Sequence, residues 1–229
     1  MLTPAGEDYL KAIYELQEEG GEAPVTTSAL AQRLGVRRAS VSGMLKKLAQ
    51  ARPGLVHHVR YRGVGLTPAG ERAALQIVRH HRLLERFLSE RLGFSWDQVH
   101  SEADRLEHVI SEDLEERIAA QLGDPAVDPH GEPIPRRDGS LPRHKEVPLT
   151  DLAPGRRAYV SRVADQEPEL LRYLAGLGLH LHARLQVTEK GPFEGPIHVR
   201  VKGDRRTHSL SRRVTDHIYV AVGTPQQRR

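Results

Sequence analysis

Asp104, Glu107 and His108 stand at i, i+3 and i+4, the spacing that gathers side chains on one face of a helix. His81 and Glu85 repeat the i, i+4 relation upstream, and His100 lies four residues before Asp104. Carboxylates crowded around imidazoles repel one another until a cation offsets their charge, so the pattern suits a divalent metal centre. The chain has no cysteine, which removes thiolate ligands, zinc fingers, iron–sulfur clusters, disulfides and a thiol nucleophile at once. Any ion must be held by oxygen and nitrogen. A bland reading competes at this stage, because a His beside a Glu on a helix is commonly a solvated surface pair.

A second chemistry is written in charge. Between Ala23 and Gly70 the chain carries eight basic residues and no Asp or Glu, although its average acid content would place roughly six there. Exclusion of negative charge over such a length is what a surface facing phosphates demands. From Glu85 to Glu116 the balance reverses, with ten acids against three arginines, so the neighbouring segment suits a cation.

The elements that must carry these residues are legible in outline. Apolar spacing predicts a first helix over about Gly6–Glu19, a short one from Ser28 to Leu34 capped by Thr27, a turn at Gly35, and another helix over Ala39–Gln50. Two short helices about a glycine turn form a helix-turn-helix, and the alternation from Leu55 to Leu66 supplies a basic hairpin, the wing. On that scheme Arg37, Arg38, Ala39, Ser40 and Ser42 at the start of the second helix face base edges. Lys46, Lys47, Arg60 and Arg62 hold phosphates.

Leu-Thr-Pro-Ala-Gly-Glu occurs twice, at Leu2–Glu7 and Leu66–Glu71, each time as a helix start. Thr67 caps a long helix to about Leu92, and Ser101–Leu122 reads as one further amphipathic helix; such a block commonly buries an oligomer face. Pro and Gly then accumulate from Gly123 to Pro148, a composition that cannot hold a helix. Five short strands and one helix, Glu167–Leu177, fit a small barrel at the end. The expected fold is mainly α with small β parts. Its domains are a winged helix-turn-helix over 1–66, a helical metal-binding and dimerisation domain over 67–122, a linker over 123–147, and an SH3-like barrel over 148–225. The N-terminus lacks a secretory pattern, and no apolar run is long enough to span a bilayer, so a cytoplasmic protein without membrane contact is expected.

Several segments together resemble the diphtheria-toxin-repressor family of metal-dependent transcription regulators, including its manganese-regulator branch. They are Glu7-Asp8-Tyr9-Leu10 with Ile13-Tyr14-Glu15-Leu16, Thr67-Pro68-Ala69-Gly70, His80-His81-Arg82-Leu83-Leu84-Glu85, His100-Ser101-Glu102-Ala103-Asp104 and Glu107-His108-Val109-Ile110-Ser111. Gly191-Pro192-Phe193-Glu194-Gly195-Pro196 looks like the SH3-like domain related to ferrous-transport accessory proteins. The resemblance implies a homodimer that binds a near-palindromic double-stranded operator when metal is present and represses metal-uptake genes. By matching position, Asp8, Asp104, Glu107 and His108 form a primary site. His81, Glu85 and His100 form an ancillary one, with Glu167 a further ligand.

Asp8 and Asp104 stand where the iron-responsive branch carries Met and Cys, and a carboxylate set favours Mn(II), with Fe(II) the alternative. Lys11 stands where the manganese branch often has an acid, and Leu170 replaces a polar residue near Glu167. Rival readings are a metal-independent winged-helix regulator and a metal-dependent hydrolase. The second is suggested by the likeness of Asp104-Arg105-Leu106-Glu107-His108 to an inverted zinc-hydrolase motif, but the motif's first His is missing, so no enzyme is expected.

Overall fold

The repeated hexapeptide performs the same task twice. Thr3 Oγ1 accepts the Gly6 N–H at the start of helix α1 (Pro4–Gly20), and Thr67 Oγ1 accepts the Gly70 N–H at the start of α4 (Pro68–Leu92). Each Thr satisfies one of the free N–H groups of a first turn, and the Pro behind it occupies a position where no N–H is needed. These features belong to a computed structural model that describes residues 2–21, 23–59, 63–142, 145–164 and 166–223. The chain forms two compact units.

The first unit comprises the chain through His81, together with Glu107–Ile110 and Pro135–Ser140. After α1 come α2 (Thr27–Arg33) and α3 (Arg38–Gln50), with Gly35 between them at φ 64°, a left-handed turn position that favours glycine. The cap of α2 is Thr26, whose hydroxyl accepts the Ala29 N–H, so Thr27 is the first helical residue and not the cap expected from sequence. Strands β1 (Val56–Val59) and β2 (Gly63–Leu66) pair antiparallel, and Val25 bridges to Val64 to complete a small wing. Leu10, Ile13, Leu30, Val41, Leu45 and Val64 are buried in this unit. A Cβ on Gly70 would lie 1.9 Å from the Leu55 carbonyl oxygen, so α4 approaches the wing through a residue without a side chain.

The second unit contains Arg82–Leu106, Ser111–Ile134 and the chain from Leu141 onward. The single helix expected over Ser101–Leu122 is two, α5 (Val99–Leu106) and α6 (Glu112–Leu122). Apolar periodicity continues through the break. Ser111 nevertheless caps α6 by accepting the Leu114 N–H, and Glu112, Asp113 and Glu115 place negative charge at the positive end of the helix dipole. Residues 123–135 hold no helix, as their Pro and Gly content predicts, but they are packed, with Asp128, His130 and Ile134 buried.

The C-terminal part is a six-stranded antiparallel sheet in the order β3-β8-β4-β5-β6-β7. The strands are β3 (Val147–Pro148), β4 (Arg157–Val163), β5 (Arg184–Lys190), β6 (Ile197–Val201), β7 (His208–Leu210) and β8 (Ile218–Ala221). Helix α7 (Pro168–Gly176) follows β4, and a short α8 (Arg212–Thr215) precedes β8. The two-residue β3 is one strand more than the sequence suggested, because its Val-Pro pair offers no alternation to detect. Leu149, Val160, Leu171, Leu174, Val187, Val199 and Ile218 form the core, and Leu170 packs against it. Among the described residues no helix is long and apolar enough to cross a membrane.

Candidate functional site

In the first unit α1 presents Asp8, and the turn between α5 and α6 presents Glu107 and His108; one ligand atom from each lies within 4.8 Å of the others. His108 Nε2 is 2.8 Å from Asp8 Oδ1 and 3.4 Å from Glu107 Oε1. Its other nitrogen, Nδ1, is 2.7 Å from Glu7 Oε2, which fixes the ring so that Nε2 faces the two carboxylates. His80 Nδ1 lies 3.1 Å from the Glu107 carbonyl oxygen and steadies the turn. Glu107 is buried, which opposes its ionisation. The His81 hydrogen bond and the Lys11 charge outweigh that penalty and hold its carboxyl below the usual range.

A second cluster lies in the other unit. Glu85 on α4 and Asp128 and His130 on the loop after α6 each offer a ligand atom within 4.8 Å of the others, and all three are 0% exposed. Asp128 Oδ1 accepts the N–H groups of His130 and Glu132, a turn that aims Oδ2 into the interior, where it has no hydrogen-bond partner. His130 Nε2 lies 2.7 Å from the Trp96 carbonyl oxygen, so it is the donor, and Nδ1 is directed 3.7 Å from Glu85 Oε2 without a hydrogen bond. His100 Nδ1 lies 3.1 Å from Glu85 Oε1.

Burial pushes the Asp128 carboxyl up to about 7, aided by the Glu85 charge. Burial alone would lower His130, but Glu85 and Asp128 raise it to about 9. Two buried acids and an imidazole, each with a ligand atom within 4.8 Å of the others, fit a divalent cation with oxygen and nitrogen ligands that displaces the protons they hold. The Asp8–Glu107–His108 group has the same donor types.

Of the residues singled out in the sequence, Asp8, Glu107 and His108 come together, as do Glu85 and His100. Asp104 is on α5 in the second unit, its Oδ2 3.6 Å from His100 Nε2. Helix α5 ends at Leu106, so Glu107 and His108 follow it on the turn. His81 is in the first unit, its Nδ1 2.5 Å from Glu107 Oε2. Glu167 is an exposed residue at the N-cap of α7 and is not among those gathered around Glu85.

Asp128, His130 and Glu7 escaped the sequence reading. His130 is fully buried, since the Pro/Gly-rich stretch around it is packed and not free. The signal was the acid-x-His spacing of Asp128 and His130. For Glu7 it was adjacency to Asp8.

The surface expected to meet DNA is open. Arg37, Arg38, Ala39, Ser40, Ser42, Lys46 and Lys47 are all exposed on or at the start of α3, whose opposite side buries Val41, Leu45 and Leu48. Arg33, also within the acid-free stretch, is instead bound to Glu15 and Glu19 on α1. Arg60 and Arg62 lie outside the described residues.

Residues 1–64 match the family model for the iron dependent repressor N-terminal DNA binding domain, 67–136 that for the iron dependent repressor metal binding and dimerisation domain, and 147–222 the FeoA domain. The chain is 35% identical over 199 residues to the iron-dependent repressor IdeR of Mycobacterium leprae, covering 81% of this chain and 84% of that protein. It is 38% identical to the diphtheria toxin repressor of Corynebacterium diphtheriae over 60% of this chain and 59% of that protein. A solved structure described as a manganese-dependent transcriptional repressor complex with manganese superposes with a TM-score of 0.86 at 42% identity, over 95% of this chain and all of that one. With an exposed basic helix α3, carboxylate–imidazole clusters and a matching SH3-like domain, the chain belongs to the diphtheria-toxin-repressor family of metal-dependent transcriptional repressors.

Proposed function

We propose that the protein is a manganese(II)-responsive repressor that binds a near-palindromic operator as a homodimer and shuts off metal uptake when manganese is plentiful. The observation that carries the metal assignment is the donor chemistry: both clusters consist of carboxylates and imidazoles, with no sulfur ligand. Its working parts are a winged-helix domain over 1–66, metal-binding and dimerisation helices over 67–122, a connecting segment over 123–147 and an SH3-like domain over 148–225.

Asp8, Glu107 and His108 hold the ion at one centre, with Asp104 as a further ligand by family position. Glu85, Asp128, His130 and His100 serve the other, with His81 and Glu167 assigned there by resemblance. The ion supplies double positive charge, which turns repulsion among these carboxylates into attraction. Glu7 keeps His108 turned toward the centre, and Asp8 ties α1 to the turn at Glu107. Affinity for the DNA-competent arrangement rises by the preference of the ion for that state, about 1.4 kcal/mol per tenfold. Arg37, Arg38, Ala39, Ser40 and Ser42 then read the major groove while Lys46, Lys47, Arg60 and Arg62 hold phosphates.

Iron(II) is the second reading, favoured by the relative described as an iron-dependent repressor, since oxygen and nitrogen ligands also accept that ion. DNA duplexes selected by the protein should shift in a gel with Mn(II) and lose the shift in chelator, or with Asp8→Ala or Glu107→Ala. Undiminished binding in excess chelator contradicts metal control. Activation by Fe(II) in preference to Mn(II) selects the second reading, and a response to zinc alone overturns both.

A further inference from the structure

Lys11 lies three residues after Asp8 on α1, on the same helical face, and its ammonium is buried. Nζ is 2.8 Å from Glu107 Oε2 and 2.9 Å from His81 Nδ1, and that nitrogen in turn approaches the same carboxylate oxygen to 2.5 Å. Glu107 is therefore divided. One oxygen is taken by Lys11 and His81, while the other, Oε1, faces His108 Nε2.

Burying an ammonium without a counter-charge is costly, and here the carboxylate offered to the ion supplies one. Held this way, Glu107 keeps a defined orientation with or without a divalent cation. The same positive charge, fixed within the first turns of the chain that also bear Asp8, repels any cation entering at Asp8, Glu107 and His108.

We propose that Lys11 is a built-in monovalent cation of this centre: it orients Glu107, restricts the centre to a single divalent ion, and loosens the hold on that ion. The inference rests on Asp8, Glu107 and His108 binding metal, as proposed above. It makes Lys11 a positioning residue with a signature that a purely structural lysine lacks. Removing its charge destabilises the metal-free protein and tightens metal binding, whereas loss of a structural contact weakens both.

The test uses the full chain, calorimetric titration and equilibrium dialysis with MnCl2, and thermal unfolding in chelator. Lys11→Met should melt at lower temperature in chelator and bind Mn(II) at the Asp8-dependent centre about tenfold or more tighter than wild type, because an opposing charge is gone. Lys11→Arg keeps the charge and should stay within about threefold of wild type. Asp8→Ala should lose one Mn(II) per chain; this count needs no Lys11 variant and holds even if Lys11→Met fails to fold. Weaker binding by Lys11→Met, or loss of two ions in Asp8→Ala, overturns the role of Lys11 alone. A wild-type chain that takes up no Mn(II) overturns the metal-centre reading itself.

Discussion

His108 is held from both sides by carboxylates, and the division of labour between them can be tested. Glu7 meets Nδ1, and Asp8 and Glu107 face Nε2, the arrangement in which an outer partner orients the ligand proposed above. Glu7→Gln should weaken Mn(II) binding by roughly 10- to 100-fold without abolishing it, the usual cost of losing such an orienting partner, while Asp8→Ala removes the ion altogether. Equal losses in calorimetric titration would make Glu7 a ligand in its own right.

The buried Glu85–Asp128–His130 group sets a pH dependence. His130 is raised to about 9 in the folded protein and Asp128 to about 7, so the folded state binds more protons than the unfolded one across this range. Their contribution is present in full below the unfolded values and is lost as pH rises through the folded ones. In chelator the unfolding midpoint should therefore fall between pH 6 and pH 9. The upward shift produced by Mn(II) should grow over the same interval, because ligands must shed protons to bind. A chelated midpoint that climbs with pH would mean that these groups are not coupled as described.

At the scale of elements, the paired hexapeptides allow a controlled comparison. Thr67 Oγ1 accepts the Gly70 N–H at 3.1 Å and donates to the Gly54 carbonyl at 2.7 Å, whereas Thr3 makes the looser cap, 3.3 Å to the Gly6 N–H. Thr67→Ala should cost about 1–2 kcal/mol in urea unfolding and Thr3→Ala no more than about 1 kcal/mol. The reverse order would show that the α4 cap is not what secures that helix to the wing. The break between α5 and α6 is the other element-scale result. Had the helix run on to Leu122, Glu107 and His108 would point outward at fixed angles along a rod. Ser111 and the acids behind it start a new helix instead, which leaves the two side chains on a turn that reaches Asp8.

At the scale of the molecule, DNA binding should be dominated by charge on the open side of α3. Replacing Lys46 or Lys47 by Ala should reduce the slope of log affinity against log salt by about one each and weaken all sequences alike. Replacing Arg38 should instead relax discrimination between sequences, as expected of a side chain at the base edges. An unchanged salt slope in both lysine variants would move the interface elsewhere. Each outcome is read in Mn(II), so that metal response and DNA contact are separated.

The chain's own pattern fixed what is local or compositional. The acid-free basic stretch, the glycine turn at Gly35, the threonine-proline helix starts and the alternating strands of the last third each depend on neighbours a few residues apart, and periodicity reports those. The absence of cysteine removed thiolate donors before any fold was known. Tertiary structure alone decided which acids meet which imidazoles. Asp128 and His130 lie in a stretch whose composition reads as a solvated connection, and only long-range packing, Trp96 and Glu85 on one side and the turn at Asp128 on the other, buries them. Lys11 reads as an ordinary helix-surface lysine until Glu107, almost a hundred residues away, is brought to its ammonium. A spacing rule has no term for such encounters, because burial of charge depends on the partner that folding delivers and not on the residues alongside.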